Sequence, residues 1–187
     1  GLGNIEIELK YKFYQKKKLV IAGGVQVMTP PTSGYDAATG LRLGYSTWSV
    51  APTVHFGVPF DNGMYLQFGG RMNFRFNGYS DEVWTSAEFG GTIKRSKRKV
   101  TLALMLQWRE SLQNGNRFNG NENFYTGLYL NDQEWLAYTL KCSWQYNSRL
   151  GMNIGVGGGA YTQYIFRTPA VTMGITFDWH KPKEPLN

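Results

Sequence analysis

A single cysteine, Cys142, stands in 187 residues, which excludes an internal disulfide framework and any metal site built from cysteines. Charge is sparse as well: 18% of the residues are Asp, Glu, Lys or Arg, against roughly 25% in an ordinary soluble domain. No stretch approaches the ~20 consecutive apolar residues that a membrane helix needs. Gly1–Glu6 has neither a basic flank nor an apolar run and does not read as a secretory signal, so either a signal has been removed or the protein is cytosolic. What is abundant is glycine, with 23 residues, and aromatics, at 16%. The first argues against a helical bundle, since Gly costs about 1 kcal/mol per helical position. The second argues against disorder. The length suits one domain.

Apolar and polar residues alternate with period two through nine stretches: 4–14, 19–28, 48–60, 64–76, 83–94, 100–109, 135–146, 150–164 and 170–179. In the sixth, Val100, Leu102, Leu104, Leu106 and Trp108 face one way and Thr101, Gln107 and Arg109 the other. Most of these stretches exceed the usual strand of about 5–6 residues and match the about 9–11 of a strand crossing a bilayer at a tilt. The connections alternate too. Those at 15–18, 61–63, 95–99 and 147–149 are short, while those at 29–47, 77–82, 110–134 and 165–169 tend to be longer. Short turns at one end and long loops at the other are the anatomy of an outer-membrane barrel, turns periplasmic and loops extracellular.

The fold class predicted is therefore all-β, an antiparallel up-and-down transmembrane β-barrel of about 8–12 strands, nine of them read here. The barrel takes residues 1–179, and 180–187 form a Pro-containing periplasmic tail. A lipocalin-like soluble barrel shares the alternation but places large aliphatics inside and Lys and Glu outside. Here the polar set mixes Gly, Ser, Thr, Asn and Gln with isolated charges, as a crowded polar lumen would be filled. Phe13, Trp48, Phe60, Phe76, Trp84, Trp108, Trp135, Tyr146 and Trp179 lie toward strand ends, where interfacial girdles are expected, although Trp84 and Trp135 fall on the polar parity.

Met173–Trp179 resembles the C-terminal assembly signal of bacterial outer-membrane barrels, carried here by Gly174, Phe177 and Trp179, which implies the barrel-assembly machinery as a partner. That signal usually ends a chain, whereas residues 180–187 follow. Nine strands place the two ends on opposite sides of the membrane, against the even number of bacterial barrels. The expectation is that at least one strand lies upstream of Gly1, or that a hairpin around Asn123–Asn131 is miscounted.

Gly1-Leu2-Gly3-Asn4-Ile5, Lys10-Tyr11-Lys12-Phe13 and Met28-Thr29-Pro30-Pro31-Thr32 resemble the outer-membrane transporters associated with the phenol meta-degradation pathway. The likeness covers about the first third of the chain, with Asn4 where that family usually has Asp. It implies a barrel of more strands and passage of small hydrophobic or aromatic compounds.

The candidate lumen-lining residues are His55, Arg71, Arg75, Glu88, Lys94, Gln107, Arg109 and Lys141. If the 77–82 connection closes symmetrically, Arg71 falls opposite Glu88, as an ion pair worth roughly 0.2–1 kcal/mol. The net basic interior is either a structural ladder plugging a narrow lumen or the lining of a pore with an anion preference. His55 invites a lipid-modifying enzyme, yet no serine lies in a G-x-S-x-G setting, and no catalytic residue is assigned. Eight cations, Lys16, Lys17, Lys18, Lys94, Arg95, Lys97, Arg98 and Lys99, cluster in two turns of one end, where anionic headgroups would attract them. Such tips do not make a nucleic-acid groove. The Asn/Gly-rich 113–123 loop has too few carboxylates for an EF-type calcium loop. The glycines at 155 and 157–159 lack the helix of a phosphate loop. Cys142 shares its parity with Leu140 and Trp144 and is read as a lipid-facing thiol.

The function expected is passive transport of small compounds, hydrophobic or anionic, or a structural role in the bacterial outer membrane, with no cofactor and no metal. The partners expected are outer-membrane lipids, the assembly machinery and other outer-membrane or periplasmic proteins, and no nucleic acid. A soluble ligand-carrying barrel and a lipid-modifying enzyme are the alternatives.

Overall fold

The computed structural model describes residues 2–16, 18–34, 41–95, 98–117, 129–147, 149–165 and 167–177; for residues 94, 95 and 98 only the backbone is described. Nine strands follow one another: β1 (Glu6–Lys16), β2 (Leu19–Met28), β3 (Ser49–Pro59), β4 (Met64–Arg75), β5 (Glu82–Arg95), β6 (Arg98–Ser111), β7 (Glu134–Gln145), β8 (Leu150–Gln163) and β9 (Ala170–Phe177). They form one antiparallel up-and-down sheet in sequence order, and the described residues contain no helix. The strand bounds follow the period-two stretches closely, because alternation over ten or more residues has no helical reading. Among the described residues the sheet does not close: β1 and β9 pair only with β2 and β8, run in the same direction and leave two edges. Of Asn123–Asn131, where a miscounted hairpin is the expectation, residues 123–128 lie outside the described residues, as do Trp179 and the 180–187 tail.

The register sorts the two faces sharply. Along one row across seven strands the partners are Val58, Leu66, Phe89, Leu104, Leu140, Val156 and Val171. A row on the other face runs His55, Gly69, Ser86, Gln107 and Ala137. The buried residues belong mainly to the polar face and its loops. Only five described apolar residues are buried, against twelve polar or charged ones, and the most enclosed side chains are Gln133, Glu82, Asn131, Thr47 and Ser80. Among the described residues forty large apolar ones are exposed, including Leu102, Leu104, Phe74 and Ile175. This inverts a water-soluble protein, whose interior is apolar.

The polar face is concave, as contacts between distant strands require. Tyr45, before β3, donates its hydroxyl proton to Gln133 Oε1 before β7 at 2.5 Å. Gln133 Nε2 reaches the carbonyl of Tyr164 beyond β8 at 3.1 Å. On the other side, the side chain of Asn4 binds Tyr45 through both its backbone groups, at 2.7 and 2.8 Å. A flat sheet, with strands about 4.8 Å apart, could not bring these loops together.

Two sequence expectations need correction. Arg71 does not face Glu88: β4 and β5 pair Arg71 with Trp84 and Gln67 with Glu88. The β4–β5 ladder stops at Asn73–Glu82, with Met72 rather than Phe76 opposite Val83, while Phe74 and Arg75 go on pairing with β3 and residues 76–81 make the connection. Across it Arg75 N donates to Asp81 Oδ1 at 2.9 Å, and Asn77 and Gly78 take positive φ of 55° and 77°. Trp84 and Trp135 are not girdle residues. They meet edge to face on the concave side with centroids 5.4 Å apart, which accounts for their polar parity.

Candidate functional site

Three concave-face residues meet at the loop end. Arg75 ends β4, Glu82 begins β5 and Arg109 lies near the end of β6. Arg75 Nη1 lies 2.8 Å from Glu82 Oε1, and Arg109 Nη2 pairs with the same oxygen. The side chains of all three are nearly inaccessible, at 1%, 1% and 4% for Glu82, Arg75 and Arg109. Two guanidinium ions on one carboxylate leave a buried net positive charge, which Tyr45 helps to accommodate. Its hydroxyl oxygen accepts from Arg109 Nη2 at 2.9 Å, and its ring lies 5.4 and 5.5 Å from the Arg75 and Arg109 guanidinium carbons. Burial raises the Tyr45 pKa above its usual 10.0 and the charge of Glu82 adds to this, while Arg109 and Arg75 oppose it. Asn131 Oδ1 accepts from Arg75 Nη2 at 3.1 Å and from the Ser80 amide at 2.9 Å, and Ser80 Oγ donates to Asp132 Oδ1 at 2.5 Å. The connections after β2, β4 and β6 are thereby tied into one polar plug.

Toward the middle of the strands the concave face opens into cavities of about 230 and 560 Å³. The smaller contains Arg71, whose guanidinium carbon sits 4.0 Å over the Trp84 ring and whose Nη1 donates to Gln26 Oε1. His55 Nε2 lies 3.3 Å from Glu8 Oε1, which also accepts from the Thr53 hydroxyl at 3.1 Å. In the larger cavity Glu88 takes Lys141 Nζ on Oε2 at 2.6 Å and the Tyr65 hydroxyl on Oε1 at 2.8 Å. A further cavity of about 580 Å³ lies at the turn end, bordered by Lys99, Thr101, Ser143 and Arg149.

Of the residues singled out in the sequence, His55, Arg71, Arg75, Glu88, Gln107, Arg109 and Lys141 thus lie on the concave face. Lys94 pairs with Lys99 in the ladder, and its side chain lies outside the described residues. Arg75 and Arg109 are brought together; Arg71 and Glu88 are not, and Glu88 belongs to Lys141. Sequence reading missed Glu82, Tyr45, Asn131, Gln133 and Ser80. Four of these stand in connections, where no period marks them, and Glu82 opens its strand; only its position one period before Trp84 could have pointed to it. Gly174 and Phe177 lie in β9, the former on the concave row. Among the described residues no group of three or more His, Cys, Asp or Glu is placed to hold a metal ion. No protein-family model matches the chain, and no curated protein matches it.

Proposed function

We propose that these strands are the wall of a bacterial outer-membrane β-barrel whose concave face lines a narrow water-filled lumen, through which small polar or anionic solutes pass passively. The observation that carries this reading is the inversion of the two faces. Burying one Leu- or Phe-sized side chain is worth about 1.5–3 kcal/mol, so leaving the convex face in water would forfeit tens of kcal/mol, whereas hydrocarbon removes that loss. The soluble ligand carrier would need large aliphatics on the concave side, where Arg, Glu, Gln and Ser stand instead. The lipid-modifying enzyme would need His55 near acyl chains, and His55 faces the polar cavity.

Hydrocarbon satisfies no backbone N–H or C=O, so both sheet edges must be paired in the bilayer. Nine antiparallel strands leave β1 and β9 running the same way. Closure then takes a parallel β1–β9 seam or an odd number of further strands. With the turns periplasmic, the plug of Arg75, Glu82, Arg109 and Tyr45 closes the outer end at rest. Conductance in planar bilayers tests the reading. Wild-type protein is expected to be mostly closed, with brief openings, and Glu82→Gln, which weakens the hold on both arginines, is expected to lengthen them. If neither conducts, the barrel is structural and the transport reading falls.

A further inference from the structure

We infer that Arg71 anchors a binding site for the carboxylate of a small solute, a proposal that rests on the lumen reading and names the class of solute held. Arg75 and Arg109 share Glu82, and Lys141 takes Glu88. Arg71 lies between these pairs, and among the described residues no carboxylate is paired with it. Its one hydrogen bond goes to the neutral Gln26 amide, and its Nε is buried without a partner. Nη2 likewise makes no hydrogen bond among the described residues, and Glu6, Glu82 and Glu8 act on the charge without pairing with it, which leaves Nη2 the donor that an acceptor in the cavity can reach.

The guanidinium is also held in place. It stacks on Trp84, and Trp84 is fixed edge to face against Trp135 and by its indole N–H donating to Glu82 Oε2 at 3.0 Å. Stacking uses the face of the fork and leaves donors on its edge, the geometry that takes both oxygens of a planar carboxylate.

Beside Arg71 two polar groups close in on a glycine. Gly69 is the preceding concave residue of β4, and a Cβ there would stand 2.9 Å from Ser86 Oγ and 3.3 Å from His55 Nδ1. A side chain would not fit there: the Ser86 hydroxyl and the His55 Nδ1 stand against the Gly69 backbone at the cavity wall, and neither atom has a hydrogen-bond partner among the described residues. Arg71, Gly69, Ser86, His55 and Gln107 border the same cavity of about 230 Å³. It shares His55, Gly69 and Ser86 with the 560 Å³ cavity, which gives a solute its route of approach. Glu8 also borders the smaller cavity, but Lys10 Nζ at 3.4 Å and the Thr53 hydroxyl at 3.1 Å already meet its charge. His55 meets Glu8 through Nε2 and keeps Nδ1 beside the cavity. The site then offers a cationic fork, a hydroxyl and a ring nitrogen to a short acid and its water.

The test titrates detergent-solubilised protein with sodium propionate at constant ionic strength, read by tryptophan emission, with propionamide as the uncharged counterpart and inorganic phosphate as a competing oxyanion. The expected result is saturable binding of propionate and none of propionamide. Arg71→Gln should lower the affinity about tenfold or more, and so should Gly69→Ala, whose methyl displaces the Ser86 hydroxyl and the His55 ring without changing charge. Arg149→Gln, at the turn end, should bind as wild type does. Absence of saturable binding, or retention of it in both Arg71→Gln and Gly69→Ala, overturns the proposal. Phosphate binding more tightly than propionate overturns the assignment to carboxylates. Monodispersity without detergent would sink the membrane reading by a separate measurement and leave the titration readable.

Discussion

Replacing Leu140 by Arg separates hydrocarbon from water on the convex face. Leu140 lies in the middle of β7, is 63% exposed and shares its row with Leu104 and Val156. From there to the end of β7 is five residues, which at about 3.4 Å each and a tilt of about 40° amounts to roughly 13 Å along the membrane normal. On the proposed reading Leu140 would sit near the midplane, where a lipid-facing Arg costs about 2–4 kcal/mol. Leu150 opens β8 next to Tyr146, whose amide donates to the Leu150 carbonyl at 3.0 Å, and there the same replacement should cost only about 0–1 kcal/mol. In water both would be ordinary surface changes within about 0.5 kcal/mol of neutral. The assay is reversible urea unfolding from phospholipid vesicles, followed by tryptophan emission. With a slope of about 1–3 kcal/mol per molar urea, Leu140→Arg should lower the midpoint by roughly 1 M or more, and Leu150→Arg by far less. Equal small costs at the two positions would refute the reasoning.

The plug gives further expectations. Glu82→Ala leaves Arg75 and Arg109 buried without their carboxylate and should cost about 3–5 kcal/mol in the same unfolding assay. Glu88→Ala, whose partner Lys141 is 37% exposed at its side chain, should cost only about 0.2–1 kcal/mol; similar losses for the two would show that the loop-end cluster is not desolvated. Tyr45 should ionise later than a free phenol, in a spectrophotometric titration compared with Tyr45→Phe. Because its folded pKa is raised above 10.0, the stability it contributes is fully present below about pH 10 and is lost as pH rises through the folded value. A Tyr45 phenol titrating at or below pH 10 would contradict its enclosure.

Much of this architecture could be read directly from the residues. Leu102, Leu104, Leu106 and Trp108 set the period of β6, and the same signal placed His55, Arg71, Gln107 and Lys141 on one face. Period fixes which face a residue occupies but not which residue stands opposite. The Arg71–Glu88 pairing failed because the β4–β5 register puts Met72, not Phe76, opposite Val83: Phe74 and Arg75 pair with β3 alone, and the Asp81 carboxylate holds the Arg75 amide. The plug was legible only in part. Arg75 and Arg109 were marked by parity, whereas Tyr45, Asn131 and Gln133 act from connections and owe their positions to curvature that no local pattern encodes. Trp84 and Trp135, misfits in an interfacial girdle, are explained by each other and by the arginines above them.

The inside-out arrangement is tested most directly by quenching with brominated phospholipids in single-tryptophan variants. Trp108 and Trp144, half exposed on the convex face, should be quenched strongly, and Trp84 and Trp135 hardly at all. Equal quenching at the four positions, or stronger quenching of Trp84 and Trp135, would contradict the account.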